Sequence, residues 1–132
     1  MKYLVEHGFT VFMISWRNAT STDRDLEMDD YLELGVESAV RTIGAVLPDR
    51  KIHAVGYCIG GTLLAIAAAA MARDHDDALK TLTFLTTQTD FTEAGELMML
   101  VRESGLSYLE SMMWDQGYLD TRALSRCCGL PT

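Results

Sequence analysis

The chain reads as an α/β protein built on parallel strands. Three observations predict this: helical and strand-like segments alternate, an uncharged run covers residues 54–72, and glycines flank a cysteine inside that run at Gly56-x-Cys58-x-Gly60. Strands that alternate with helices pair in parallel through crossover connections. An uncharged run broken by glycines near its start suits a buried strand that turns into a buried helix.

MKYLVEHG opens with a short helical stretch that Gly8 is expected to stop. FTVFMIS, residues 9–15, is rich in β-branched and aromatic residues and is expected to be the first strand. WRNATSTDRD follows as a polar loop leading to candidate helix N-caps at Asp29 or Asp30. Met28, Leu32, Val36, Val40, Ile43 and Leu47 then recur at helical spacing, and Pro48-Asp49 ends the pattern. KIHAVGY, 51–57, is the second expected strand. The stretch from Ile59 to about Ala72 is the next helix, with almost no polar residue before Arg73, so it is expected to be buried nearly all round. LKTLTFLTT, 79–87, is the third expected strand. From Thr92 the text becomes helical and rich in methionine, with Met98, Met99, Met112 and Met113. Those side chains suit either ordinary core packing or an adaptable apolar cap.

The totals narrow the function classes. A chain of 132 residues, 48% hydrophobic, fits one soluble domain or a piece of one. A net charge of −8 with scattered Lys and Arg argues against nucleic acid or anionic lipid as a partner. Three cysteines, two adjacent at Cys127 and Cys128, form no disulfide framework, and no signal-peptide pattern opens the chain, so a reducing cytoplasmic setting is expected. Alanine content and three early glycines argue against 54–72 as a membrane span.

Cys58 stands at the carboxyl end of the middle expected strand, where open α/β sheets carry their reactive groups. A sharp strand-to-helix turn crowds both flanks of its central residue, which explains glycine at Gly56, Gly60 and Gly61. This is the pattern of a nucleophile elbow with sulfur in place of oxygen. The same turn puts the thiol at a helix N-terminus, which favours thiolate, and aims the Ile59 backbone N–H at a developing oxyanion. The alternative is an inert core cysteine; the strand before and helix after favour the elbow.

A cysteine nucleophile ordinarily needs a base. His53 lies five residues before Cys58 on the same strand, roughly 16 Å away at about 3.3 Å per residue. His7 and His75 read as surface residues. Asp90 follows the third expected strand and is a candidate acid, although a helix-capping role suits it better. No metal-ligand spacing is present.

Five blocks, EHGFTVFMISWRN at 6–18, DDYLELGV at 29–36, KIHAVGYCIGGTLLA at 51–65, LTFLTTQTDF at 82–91, and GEL at 95–97 followed by MWDQGYLDT at 113–121, resemble the polyhydroxyalkanoate synthases in order and content. The resemblance runs from about Leu4 to Thr121. It implies a partial α/β-hydrolase sheet over 1–91 containing the elbow, the start of a helical cap over 92–121, and an atypical, out-of-frame tail over 122–132 that makes Cys127 and Cys128 incidental. It implies Cys58 as the acyl-carrying nucleophile, which takes 3-hydroxyacyl groups from a coenzyme A thioester and passes them to a growing polyester chain, with no cofactor. The GYCIGGT letters point to the short-chain branch. For whole-length members it also implies a homodimer and work at the surface of polyester inclusions. The family's catalytic Asp and His have no counterpart here, Asp90 matching a different motif, so the isolated chain is expected to be an inactive, poorly packed fragment. A thioesterase or esterase of the same fold, and a non-catalytic interaction remnant, remain the alternatives.

Overall fold

The computed structural model describes residues 1–95, 98 and 102–119. Met99, Glu96-Leu97 of the GEL block, the end of the MWDQGYLDT block, and the tail with Cys127 and Cys128 lie outside the described residues. The helices whose bounds fall among the described residues are α1 (Lys2–Glu6), α2 (Met28–Tyr31), α3 (Ser38–Val46), α4 (Ile59–Arg73) and α5 (Glu103–Gln116). The strands are β1 (Ile52–Tyr57) and β2 (Leu79–Leu85), which pair in parallel from Ile52 against Leu79 to Tyr57 against Leu85. Two compact units are formed: residues 1–16 with 27–89, and residues 17–26 with those from Asp90 onward.

In the first unit, α1 stops where the sequence expects, with Gly8 at φ +85°. The expected strand at 9–15 does not form, so among the described residues the sheet has two strands instead of three. A strand exists only with a ladder partner, and here Phe9 and Met13 remain 59% and 65% exposed without one. The helix beginning at Met28 is capped by Glu27, not by Asp29 or Asp30. Asp30 serves instead as the third helical residue, its carboxylate accepting the Glu27 N–H at 2.8 Å.

Between α2 and α3 the helix widens into a π segment, Leu32–Glu37. The Trp16 ring lies against Gly35, where a Cβ would come within 2.2 Å of its Cη2. The widened turn and the bare Cα together admit an indole into the helix surface. Beside it the core forms, with Val36, Leu64 and Ala67 buried and Leu32, Ala54 and Leu63 packed around them.

β1 alternates as its letters require. Ala54 and Gly56 face α4 and the core, while Val55 and Tyr57 stay 63% and 69% exposed on the other face. The apolar α4 is not buried all round: Gly61, Leu64, Ala67 and Met71 form one buried stripe, and Ile59 and Ile66 are exposed. Spacings of three, three and four residues mark a single helix face. β2 ends at Leu85, two residues short of the expected end, because Thr86 turns to φ +47°.

The second unit is built around α5 and the 17–26 loop. Gly117, at φ +81°, caps α5 by donating its N–H to the Met113 carbonyl at 2.6 Å. Arg24 donates to the Trp114 carbonyl at 2.7 Å. In the loop, a 3₁₀ turn at Ser21–Asp23 is fastened by Asp23, whose carboxylate accepts from Arg17 Nη1 at 3.0 Å and from the Thr20 N–H at 2.7 Å.

Candidate functional site

Cys58 is the residue between β1 and α4, with φ 52° and ψ −128°. Residues with a Cβ avoid positive φ, and holding one there costs about 1–3 kcal/mol. The strain persists because contacts on both sides fix it. The Cys58 N–H donates to the Leu85 carbonyl at 2.9 Å, extending the ladder one step past the strand end. The Cys58 carbonyl accepts the N–H groups of Gly61 at 2.9 Å and Thr62 at 3.3 Å, closing the first turn of α4.

Two of the three glycines are required by close approach. A Cβ on Gly56 would lie 2.4 Å from the Gly61 Cα, and a Cβ on Gly61 would lie 1.9 Å from the Thr87 Oγ1. Gly60 is the exception to the expected crowding, since a Cβ there meets nothing within 4 Å. The tight packing runs from Gly56 through Gly61 to Thr87, and Gly60 points away from that line.

The thiol is a free cysteine exposed to solvent. As the first residues of α4, Ile59 and Gly60 have N–H groups with no carbonyl one turn earlier in the helix to accept them. The turn therefore sets an exposed cysteine at the N-terminus of a 15-residue helix, the positive end of its dipole.

The histidines stand elsewhere. His53 Nδ1 pairs with Thr81 Oγ1 at 2.7 Å, near the start of β1. His7 Nδ1 contacts the Tyr3 carbonyl at 2.8 Å, and His75 follows the end of α4 at φ +60°. Asp90 belongs to the second unit, and its Oδ1 accepts both the N–H of Thr92 at 2.9 Å and its hydroxyl at 2.5 Å. Those bonds hold its carboxyl below the usual range, the side-chain bond contributing most. Among the described residues no group of three or more His, Cys, Asp or Glu side chains is placed to hold a metal ion. Nor is any helix there long and apolar enough to cross a membrane. A cavity of about 320 Å³ lies between Met71 and Ala72 of α4 and Leu79–Leu82 of β2, at the end of the strands opposite Cys58.

Sequence reasoning missed the loop that clasps the elbow. Thr62 Oγ1 donates to the Gln88 carbonyl at 2.6 Å, and Thr87 sits over Gly61. The signal was the Gly-Gly-Thr sequence at the start of α4, which asks for a neighbour at close range.

Comparison with known proteins bears on the fold and the family. Residues 1–115 match the family model of the alpha/beta hydrolase fold. Over 118 residues the chain is 41% identical to a poly(3-hydroxyalkanoate) polymerase of Methylorubrum extorquens, covering 89% of this chain and 20% of that protein. It is 41% identical over 125 residues to a poly(3-hydroxyalkanoate) polymerase subunit PhaC of Rhizobium etli, covering 95% and 20%. The corresponding subunit of Cupriavidus necator is 32% identical over 113 residues, covering 86% and 19%. The chain thus spans about one fifth of the length of these curated relatives. The strand, the strained cysteine and the helix behind it sit within the matched region, and the chain belongs to the alpha/beta hydrolase fold family, as a segment similar to the poly(3-hydroxyalkanoate) polymerases.

Proposed function

We propose that this chain is the nucleophile-bearing segment of a polyhydroxyalkanoate synthase, and that Cys58 carries the acyl group. The observation that supports it most is Cys58 itself: an exposed sulfur, in a strained positive-φ backbone, between a parallel strand and the N-terminus of a long helix. In the first step the thiolate attacks the carbonyl carbon of a 3-hydroxyacyl-coenzyme A thioester. The carbonyl oxygen takes up negative charge near the Ile59 N–H, the bond to coenzyme A sulfur breaks, and coenzyme A leaves as a thiolate that water protonates. In the second step the hydroxyl of one unit attacks the thioester of another, forming the ester bond of the polymer and freeing a thiol.

The second step needs a base to take the hydroxyl proton. The histidines at 7, 53 and 75 are engaged or placed away from the elbow, so the chain by itself is expected to be inactive in polymer formation, and an acyl group that Cys58 takes up is expected to stay there. On this reading the whole-length enzyme works in the cytoplasm, at the surface of its water-insoluble polymer.

Mass spectrometry of the chain after incubation with 3-hydroxybutyryl-coenzyme A tests the proposal. The expected result is one 3-hydroxybutyryl group on the peptide containing Cys58, absent from Cys58→Ala, with little or no polymer. Acylation that ignores Cys58→Ala would overturn it, and rapid loss of the acyl group to water would assign the chain to hydrolysis instead.

A further inference from the structure

We propose that Thr62 is a positioning residue for Cys58, acting through the loop that follows β2. This rests on the reading of Cys58 as a nucleophile, and concerns what holds that nucleophile in place.

Two threonines on helices provide the contrast. Thr42 in α3 turns its hydroxyl down its own helix, to the Ser38 carbonyl at 2.7 Å. That is the ordinary local bond of a helical threonine. Thr62, in the first turn of α4, has the equivalent carbonyl available at Cys58. It leaves that carbonyl to its own N–H, at 3.3 Å, and sends its hydroxyl across to the Gln88 carbonyl at 2.6 Å, 26 residues away in sequence. This bond is part-buried, whereas that of Thr42 is exposed.

The segment it grips is the one that abuts the elbow. Leu85 accepts the Cys58 N–H, Thr86 turns at φ +47°, and the Thr87 hydroxyl bends back to the Leu85 carbonyl at 3.3 Å. Thr87 then closes on Gly61, where even its Cβ would lie 2.9 Å from an added methyl carbon. Rotating a short β-branched side chain does not clear a contact at its own Cβ, so the loop position is coupled to the glycine. The strained cysteine is thereby held from the strand side through Leu85 and from the helix side through Thr62 and Gly61. Removing the Thr62 hydroxyl frees the loop to drift and lets the sulfur leave its place at the helix end.

The test is the rate at which iodoacetamide alkylates Cys58 in the full chain, followed on its own proteolytic peptide so that Cys127 and Cys128 do not contribute. Thr62→Val is expected to slow alkylation roughly two- to tenfold, the scale of one lost hydrogen bond. Thr62→Ser, which keeps the donor, is expected to restore the rate to within about twofold. Thr42→Val, which removes a purely local helix bond, should leave it unchanged. A Thr62→Val rate equal to that of the parent chain, or a Thr62→Ser rate no better than Thr62→Val, overturns the proposal. If circular dichroism shows that Thr62→Val does not fold, Gly61→Ala is compared with Gly61→Ala/Thr87→Gly. Slow alkylation restored by the second change supports the coupling, and no restoration refutes it. Acyl transfer from 3-hydroxybutyryl-coenzyme A is measured in parallel. Alkylation that depends on Thr62 without acyl transfer to Cys58 removes the polymerase reading and keeps the positioning role. Acyl transfer with no dependence on Thr62 does the reverse.

Discussion

FTVFMIS at 9–15 and KIHAVGY at 51–57 look alike as strands, yet only the second becomes one. β1 has a parallel partner in β2, and α4 covers its Ala54 and Gly56 face. The earlier run has more aromatic and β-branched content but no ladder, and its Phe9, Phe12 and Met13 stay exposed. Strand propensity describes how a side chain fits a half-buried pleated surface, so it is realised only where that surface exists. The lesson carries to the site: Cys58 is held in its strained turn by what surrounds β1, not by the local letters alone.

The largest loss of stability is expected at the glycine contact. Gly56→Val would drive a branched side chain into the Gly61 backbone, and a loss of about 3 kcal/mol or more is expected, read as a large fall in the urea midpoint. Leu64→Ala, in the small core beside the sheet, is expected to cost about 2–4 kcal/mol in the same measurement. Cys58→Gly should move stability the other way, raising it by about 1 kcal/mol, because glycine relieves the positive φ at some cost in chain entropy. An unchanged or lower midpoint would mean that the turn stores no strain. Met13→Gln, in the run without a partner, should stay within about 0.5 kcal/mol. A larger loss there would show that 9–15 is packed after all.

The second unit sharpens the contrast through pH. Arg17 and Thr20 hydrogen bonds lower the Asp23 carboxyl from 3.8 to about 2. A carboxyl depressed in the folded state stabilises fully above its unfolded value, and the contribution fades as pH falls from about 4 to about 2. Backbone shifts at Thr20 should therefore titrate with a midpoint near 2 and lose that titration in Asp23→Asn. A midpoint at the ordinary aspartate value would show that the loop bonds do not persist.

Much of the first unit was legible in the sequence. β1 and α4 fall within a residue of their expected bounds, because alternating letters, paired glycines and an uncharged helix point to one strand-turn-helix. The π segment at Leu32–Glu37 was not legible, since nothing local in its letters announces that the Trp16 ring packs on Gly35. Burial of α4 on one stripe alone was hidden for the same reason: composition states what a face would bury, while contact decides whether it does. Glu27 as the cap of α2 escaped notice because two aspartates follow it, and Asp30 works from inside the helix. At the site, Cys58, Gly56 and Gly61 were visible as a pattern, whereas the clasp by Thr62, Thr87 and Gln88 joins residues distant in sequence.

The chain itself holds Cys58 in an elbow. Residual dipolar couplings and cross-correlated relaxation of the folded chain report the sign of φ at this residue directly. A positive φ at Cys58 is expected, together with a slowly exchanging Cys58 amide bonded to Leu85. A negative φ with a freely exchanging amide would contradict it.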